Sequence, residues 1–465
     1  MSTASRDTDA RLPRPAEYPI LKGPVGNLVL RPWFDRVALH TVSRWYFPLS
    51  RAWAAALASG GSLERFLAAL DPGGSWRGAS RAWAARALAS IEARRHGYEA
   101  AAGAWESALF GPRPLGADAL IAAELARQDA AQRLMASRMA ALPLHLRRPL
   151  PPVRWEIPEP AVVAARHGPR LAAPEAAFPA PELPMVERSR ALPGAYGREY
   201  WLRFASPVMA DTAWARIYEA DEGTDGLSLI FLHGIGMETE FSRDIADEVS
   251  GLARRGIRVI RPEGPWHGRR RPDGWYGGEP AMARAPLGLI ELFRAWVAEV
   301  AVLIAWARRD SRGPVAVGGV SLGSLASQLI APAARHWPAA LRPDGLLLVA
   351  TSGSILEVAE SGSLAGAVGL PQRLRAGGWT RAELERWRPL LEPRRAPAVA
   401  PGRIVMLLGE SDDLTPFSGG VALARRWGVP KENLFLRPQG HFSVSLGLGR
   451  DPAPLERLAA LLGAA

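Results

Sequence analysis

The chain has 465 residues, of which 48% are hydrophobic, so it is long enough for two domains or one enlarged domain with an ordinary buried core. Its formal net charge is +11, but Lys22 and Lys431 are its only lysines, and this arginine excess, together with abundant alanine, glycine and proline, indicates a compositional bias. No zinc-ligand spacing, RNA-binding signature or basic helix accompanies the charge, which argues against a nucleic-acid partner, and the lack of cysteine excludes disulfides and thiol chemistry.

The N-terminus gives no sign of a targeting segment, because residues 1–7 are polar and contain no apolar core. The longest apolar helix is predicted over residues 287–306, and the charged residues Glu291, Arg294 and Glu299 interrupt it, so no transmembrane segment is expected. These features predict a cytoplasmic protein. Peripheral contact with an anionic membrane surface is an alternative that the arginine excess allows.

Residues 40–140 are mainly Ala, Arg, Leu and Trp in helical rhythm, which predicts a helical N-terminal module over residues 1–141. Its helix-spaced tryptophans, Trp53, Trp83 and Trp105, are expected to pack in the core against small alanines, with docking on a membrane surface as the alternative. Prolines then recur every few residues, which predicts a linker or a surface arm over residues 142–195.

From residue 196 onwards, apolar segments alternate with helical ones, as in an open, mostly parallel sheet flanked by helices. The first two segments alternate polar and apolar residues, as antiparallel edge strands do, and the later ones are continuously apolar, as parallel strands covered on both faces are. The eight predicted strands span residues 198–206, 212–220, 227–232, 257–260, 315–320, 346–349, 404–408 and 434–436. The helices predicted between and after them span residues 241–255, 287–309, 325–336, 421–427 and 454–462.

The third and fourth predicted strands each lead into a glycine-containing turn. The strand at 227–232 runs into His233-Gly234-Ile235-Gly236, which taken alone is an ordinary turn. The strand at 257–260 precedes Glu263-Gly264-Pro265-Trp266-His267-Gly268-Arg269-Arg270-Arg271-Pro272. The arginines of this second turn could contact a phosphate or carboxylate of a substrate, or they could be solvated side chains, which is the usual role of a charge run.

The segment Gly319-Val320-Ser321-Leu322-Gly323 follows at the predicted junction of a strand and an alanine-rich helix. The glycines two positions on either side of the serine leave room for a tight, strained turn, which lifts the hydroxyl off the sheet. Ser321 is therefore a candidate nucleophile. A serine hydroxyl needs a base to take its proton, and the base needs an acidic partner.

The segment between residues 351 and 401 is much longer than a usual connection, so it is expected to have structure of its own. A capping box from Thr380 to Glu383 predicts a helix with an apolar side. We interpret residues 353–400 as a cap over the substrate, with a plain packing helix as the alternative.

Candidates for the base and the acid lie further along the chain. His336 and His441 are the only histidines after Ser321, and His336 lies at a predicted helix end, where a solvated or capping role fits better than catalysis. His441 follows the last predicted strand. Three acidic residues follow the preceding strand: Glu410, Asp412 and Asp413.

From about Arg198 to the C-terminus the chain resembles a serine α/β-hydrolase, because the H-G-x-G turn, the G-x-S-x-G segment, the Asp412 loop and the His441 loop occur in that family's order. The turn at residues 263–272 also resembles the Pro-aromatic-x-Gly-x-Arg-x-Pro turn of the abhydrolase-domain-containing group. The resemblance implies an α/β-hydrolase fold with an eight-stranded, mostly parallel sheet, a catalytic domain over residues 196–465 and a cap inserted after the sixth strand.

The resemblance also implies a chemistry. Ser321 would attack an acyl carbon, His441 would act as base and then acid, and Asp412 would orient His441, since this family usually places its acid in an Asp-x-x-x-Pro loop; Asp413 is the nearest alternative. The backbone N–H groups of Ile235 and Leu322 would hold the oxyanion. Residues of the two glycine-containing turns are expected near the substrate: His233, Gly234, Gly236, Trp266 and Arg269. The implied substrate is a small-molecule carboxylic ester, including a lipid or a thioester, and no metal or organic cofactor is required.

Two other functions fit the same residues. A peptidase, an amidase or an acyltransferase would use the same serine, and the N-terminal module and the cap would decide among them. A hydrolase fold that only binds a ligand is the alternative from another class, although the presence of candidates for all three triad positions argues against it.

Overall fold

The computed structural model describes residues 11–14, 26, 29–71, 74–174, 177–222, 226–238 and 249–463. Its centre is one ten-stranded sheet, in which continuous apolar segments form parallel strands covered on both faces, as expected. The strands in chain order are β1 (Glu187–Arg188), β2 (Leu192–Gly194), β3 (Gly197–Ala205), β4 (Thr212–Glu219), β5 (Ser228–Leu232), β6 (Arg258–Pro262), β7 (Val315–Val320), β8 (Gly345–Val349), β9 (Ile404–Gly409) and β10 (Leu434–Arg437).

The strand order is β1-β3-β4-β6-β5-β7-β8-β9-β10, with β2 paired to β3. Strands β1 to β4 are antiparallel to their neighbours, whereas β5 to β10 run parallel, so the mostly parallel sheet predicted from the sequence is confirmed. All eight predicted strands are present. The predicted count of eight is wrong by two, because β1 and β2 are too short and too close to prolines to give a strand pattern.

The register brings the carboxyl ends of the parallel strands together. Leu232 at the end of β5 pairs with Gly319 near the end of β7, and Val349 of β8 pairs with Val320. Gly409 of β9 pairs with Arg437 of β10. The loops that follow these strands therefore emerge along one edge of the sheet, which is where parallel α/β sheets bind ligands.

Helices cover both faces of the sheet. The helices that follow β6 and the later strands are α8 (Glu279–Ala283), α9 (Leu287–Asp310), α10 (Leu322–Ala333), α11 (Ile355–Ser361), α12 (Ser363–Val368), α13 (Leu370–Ala376), α14 (Arg381–Leu391), α15 (Phe417–Trp427), α16 (His441–Leu446) and α17 (Ala453–Leu461). The helix predicted over residues 241–255 lies partly outside the described residues, and its described end, Ser250–Arg255, is 3-10 helical. No helix among the described residues combines the length and apolar character that a membrane span requires.

The N-terminal region is helical, as predicted. Its α-helices are α1 (Pro32–Thr41), α2 (Phe47–Ala58), α3 (Leu63–Leu70), α4 (Gly78–Phe110), α5 (Ala117–Ala136), α6 (Leu142–Arg147) and α7 (Pro160–Ala172), and a π-helical turn, Val42–Tyr46, joins α1 to α2. Helices α6 and α7 lie in the proline-rich segment that the sequence predicts as a linker or an arm. Pro160 is tolerated because it occupies the first turn of α7, where its missing N–H is not needed, whereas Pro169 lies inside the same helix.

One continuous apolar core joins the N-terminal helices to the sheet. Trp53 of α2, Ile230 of β5 and Trp296 of α9 belong to the same buried cluster. Trp53 and Trp105 are almost fully buried, as expected, whereas Trp83 is only half-buried beneath the guanidinium of Arg86. Because this core is shared, the N-terminal helices are in a position to shape the loops at the carboxyl edge of the sheet.

Candidate active site

The turn after β7 holds Ser321 in a strained conformation. Its φ is +56° and its ψ is −121°, a region that side-chain-bearing residues rarely adopt, and α10 begins at the next residue. The turn depends on glycine at two positions: an added Cβ on Gly319 would lie 2.6 Å from the carbonyl carbon of Gly323, and one on Gly323 would lie 2.4 Å from the carbonyl oxygen of Leu232. The strand and helix can approach this closely only because neither residue has a side chain.

We expect Gly323→Ala to destabilise the protein by about 3 kcal/mol, because the new methyl group would overlap backbone atoms that cannot move independently. Urea unfolding measures this change. Gly366→Ala is the matched control, since a Cβ at this position of α12 meets nothing within 4 Å and alanine favours helix. Equal stability of the two variants would contradict the tight packing of the turn.

A continuous chain of hydrogen bonds begins at the serine hydroxyl. The Oγ of Ser321 lies 2.8 Å from Nε2 of His441, and Nδ1 of the same ring lies 2.8 Å from Oδ2 of Asp412. His441 and Asp412 are both about 95% buried. The structure thus brings together the three residues that the sequence proposes as nucleophile, base and acid.

The loop after β9 fixes the carboxylate of Asp412. The backbone N–H groups of Leu414 and Thr415 both donate to Oδ1 at 3.0 Å, and the hydroxyl of Thr415 donates to Oδ2 at 2.9 Å. That hydroxyl also lies 3.2 Å from Nδ1 of His441. Sequence analysis does not single out Thr415, although aspartate is a residue type whose side chain commonly bonds the backbone of its own turn.

The alternative acids are engaged elsewhere. The Oδ1 of Asp413 accepts a hydrogen bond of 2.7 Å from the hydroxyl of Ser363, and its carbonyl accepts one of 2.8 Å from the Ser363 N–H. These contacts tie Asp413 to the start of α12. Glu410 is exposed, and His336 is exposed at the end of a 3-10 turn, so neither belongs to this arrangement.

Several charges act on the imidazole of His441. Burial favours the neutral ring and lowers its pKa, but the Asp412 carboxylate, through its charge and its hydrogen bond, and the charges of Asp35 and Asp413 outweigh burial and raise the pKa above its usual value. Since Nδ1 faces a carboxylate, the neutral ring carries its proton there. Nε2 is then the free acceptor, which is the form that can take a proton from Ser321.

The turn after β5 is built around two buried, neutral histidines. Nε2 of His233 accepts a hydrogen bond of 2.9 Å from the Gly264 N–H, so its Nδ1 donates to the Gly234 carbonyl at 2.8 Å. Nε2 of His267 accepts a hydrogen bond of 3.4 Å from the Gly236 N–H. Burial lowers the pKa of His233 well below its usual value and that of His267 to about 4. Both rings therefore serve as fixed supports for the turn.

This turn lies beside the serine. A Cβ on Gly234 would lie 3.5 Å from the Cβ of Ser321. The Gly234 N–H donates to Sδ of Met237 at 3.3 Å, and the Gly236 N–H donates to His267. The N–H of Ile235, which lies between them in the chain, has no acceptor among the described residues. Leu322 is the first residue of α10, where an N–H has no partner within the helix.

Residues of the N-terminal region form hydrogen bonds to the turn after β5, and sequence analysis does not identify them. The hydroxyl of Tyr46 donates to the Gly236 carbonyl at 2.9 Å, and the guanidinium of Arg138 donates to the Tyr46 hydroxyl at 2.9 Å. Arg138 also forms a salt bridge of 3.4 Å with Glu238, which follows the turn. No local sequence pattern marks these residues, because each partner is at least 90 positions away.

The arginines after β6 pack against aromatic and acidic side chains: Arg270 is buried, and Arg269 and Arg271 are partly buried. The guanidinium of Arg269 lies 4.4–4.5 Å from the ring centres of Trp105, Trp201 and Trp214. Arg270 is buried in salt bridges to Asp211 and Glu299, and Arg271 lies over the ring of Trp53. The expectation of a solvated charge run is wrong, because aromatic and acidic residues from distant segments pack around these side chains, and contact of Arg269 with a substrate stays a prediction.

Trp266, the remaining turn residue predicted near the substrate, is half-buried and has a φ of +62°. Its carbonyl accepts a hydrogen bond of 3.0 Å from the Gly278 N–H. Contact of Trp266 with a substrate stays a prediction. Within the described ranges, no group of three or more His, Cys, Asp or Glu side chains is arranged to hold a metal ion.

Comparison with known proteins adds a family match. Residues 218–351 match the family model described as alpha/beta hydrolase domain containing 18. This segment includes the turn after β5 and the Ser321 turn, and it ends before Asp412 and His441. A search of curated proteins gave no match.

Solved structures of several enzymes resemble the chain. An S-formylglutathione hydrolase from Agrobacterium tumefaciens is 15% identical with a TM-score of 0.40, and the match covers 59% of this chain and 99% of that one. A brefeldin A esterase, a bacterial homologue of human hormone sensitive lipase, is 18% identical with a TM-score of 0.38 and coverages of 66% and 86%. An acylaminoacyl peptidase from Pyrococcus horikoshii is 12% identical with a TM-score of 0.39, and the match covers 57% of this chain and 40% of the peptidase. Similarities of this size do not indicate a substrate.

Proposed function

We propose that this member of the α/β-hydrolase superfamily is a serine hydrolase that cleaves a carboxylic ester through an acyl-enzyme on Ser321. One observation carries the proposal: the unbroken hydrogen-bond chain from Ser321 through His441 to Asp412 at the strained turn after β7. The strain supports it further, because a backbone conformation of this kind is costly and is found mainly where a side chain must be presented for function.

In the proposed reaction, Oγ of Ser321 attacks the acyl carbon while Nε2 of His441 takes its proton. The Asp412 carboxylate stabilises the imidazolium that results. The N–H groups of Leu322 and Ile235 hold the tetrahedral oxyanion; Leu322 directly follows the serine, and Ile235 follows Gly234, which lies beside it. His441 then returns the proton to the leaving alcohol, and an acyl ester on Ser321 remains.

Water completes the cycle. His441 removes a proton from a water molecule as it attacks the acyl-enzyme, and then protonates Ser321 as the acid product leaves. The residues present are sufficient for both half-reactions. A small acyl ester, including a lipid ester or a thioester, is the proposed substrate class, and the same triad in a peptidase, an amidase or an acyltransferase is the alternative.

We also propose that residues 353–400 act as a cap. Helix α12 begins at Ser363, whose hydroxyl donates a hydrogen bond to Asp413, the residue after Asp412. The same helix packs against the π-helical turn at Val42–Tyr46. The cap and the N-terminal helices thus meet next to the acid loop. Side chains from both would then set which acyl groups reach Ser321.

Labelling with a fluorophosphonate probe tests the function. We expect the intact protein to be labelled covalently and Ser321→Ala not to be labelled at all, because the probe traps only an activated serine. Ser107→Ala is the matched control, since Ser107 is an exposed serine of α4 and its loss should leave labelling unchanged. Folded protein that is not labelled would overturn the proposal. Hydrolysis of p-nitrophenyl esters and of the matching anilides then separates an esterase from an amidase.

A further inference from the structure

A carboxylate from the N-terminal region reaches the catalytic histidine loop. Asp35 of α1 is 93% buried, and its Oδ1 accepts hydrogen bonds of 2.6 Å from the Phe442 N–H and 3.1 Å from the Ser443 N–H. Its Oδ2 accepts a hydrogen bond from the Ser443 hydroxyl. These partners directly follow His441 in the chain and lie more than 400 residues from Asp35.

The contact has the geometry of a helix N-cap supplied from another segment. Helix α16 begins at His441, and its N-cap position is Gly440, which has no side chain to accept the first free N–H groups. The two N–H groups that Asp35 accepts are the ones that a capping side chain normally satisfies. A Cβ on Gly440 would lie 2.4 Å from Cγ of Asp35, so the carboxylate occupies the space of the missing cap.

The position of this N-cap contact matters because His441 is the first residue of helix α16. The backbone of residues 440–443 determines the position of the imidazole. The chain just before it is held by the loop after β9, since the carbonyls of Arg437 and Gln439 accept hydrogen bonds from the N–H groups of Glu410 and Ser411. Asp35 fixes the other side. Without it, a part-buried and a buried N–H group at the start of α16 would lose their acceptor, which favours a rearrangement of this turn.

The charge of Asp35 also acts on His441. The charges of Asp412, Asp35 and Asp413 act on the imidazole, the first through direct contact and the others at longer range, and all three favour the protonated ring. Loss of the Asp35 charge therefore lowers the pKa of His441. The ring would then stay neutral, and able to accept the Ser321 proton, down to a lower pH.

We propose that Asp35 is a positioning residue for His441, so that the N-terminal helices are part of the catalytic machinery. The inference rests on the proposed function of Ser321 and His441. It assigns to α1 a role in the reaction that is separate from packing, and it explains why a buried carboxylate is placed against a glycine N-cap.

The rate constant of fluorophosphonate labelling, measured as a function of pH, tests this role without knowledge of the natural substrate. Wild-type labelling should rise with pH as His441 loses its proton. We expect Asp35→Ala to lower the plateau rate by about 10–100-fold and to shift the midpoint to lower pH. Asp35→Asn, whose amide oxygen still accepts the two N–H groups, should regain much of the rate but keep the lowered midpoint.

Asp221→Asn is the matched control, because Asp221 is an exposed partner of Arg11 and so also links the N-terminal segment to the rest of the chain. Its rate and midpoint should equal those of wild type. Circular dichroism reports whether each variant is folded, and Asp35→Asn keeps the test usable if Asp35→Ala does not fold.

Two results would overturn the inference. One is that the folded Asp35 variants have the wild-type labelling rate constant and the wild-type pH midpoint. The other is a lower labelled fraction with an unchanged pH midpoint, which would show only a loss of folded protein. Failure of the wild-type protein to react at all is a different outcome, since it would contradict the proposed function itself.

Discussion

Replacement of His441 by alanine is expected to lower kcat for ester hydrolysis by about 10⁵-fold or more, because Ser321 then has no group to take its proton. The effect should be seen in kcat rather than in KM, since the imidazole acts in the transition state. Steady-state hydrolysis of a p-nitrophenyl ester at pH 8 measures it, and thermal unfolding shows whether the variant remains folded.

The double variant Ser321→Ala/His441→Ala provides the control for this prediction. Residues that act as one unit give non-additive losses, so the double variant should be no slower than either single variant. Additive losses would indicate that the two residues act independently. A loss of less than about 10-fold in the single variant would show that another group serves as the base.

Asp412→Asn is expected to lower kcat by about 10⁴-fold with little change in stability. The asparagine oxygen can still accept the N–H groups of Leu414 and Thr415, so the loop should keep its shape. Its amide group, however, would present N–H to Nδ1 of His441 and favour the tautomer that cannot accept the Ser321 proton. The same kinetic assay and urea unfolding measure the two quantities.

Asp413→Asn is the matched control, one residue along the same loop. Its side chain accepts a hydrogen bond from the Ser363 hydroxyl, and an asparagine can accept the same bond, so activity should change by less than about 3-fold. The opposite pattern, with Asp413→Asn inactive and Asp412→Asn active, would assign the acid role to Asp413. Losses of the same size in both variants would indicate damage to the loop as a whole.

The fold could be predicted from the sequence because its central strands have a strong local pattern. Segments such as β7 and β9 are continuously apolar and buried on both faces, and a helical segment follows each of them. The α/β-hydrolase fold is confirmed. The short strand β1 gives no such pattern, since two residues that pair with β3 carry no periodicity of their own.

The candidate site could be predicted in part for a similar reason. Ser321, Asp412 and His441 each follow a strand whose end can be recognised, and parallel strands bring their carboxyl ends together. Their geometry in the structure agrees with the roles proposed from the sequence, and catalysis by them stays a prediction.

Residues that act through distant contacts could not be found in this way. Asp35 is an ordinary acidic residue in the first turn of a helix, and only the folded chain places it against Gly440. The same limit explains the error about Arg270, because a run of three arginines resembles an exposed turn unless Asp211 and Glu299 are known to be nearby. In both cases the deciding partner is remote in sequence.

The contact between Asp35 and the start of α16 has a consequence for synthesis of the protein. Residues more than 400 positions apart must meet before the imidazole reaches the position seen in the structure, and closing a loop of this length is slow. A nascent polypeptide that is still on the ribosome, with Ser321 already emerged but His441 not yet translated, would carry an unactivated hydroxyl. Under the proposed mechanism, reaction at Ser321 would therefore begin only after His441 has been translated and its turn has folded against Asp35.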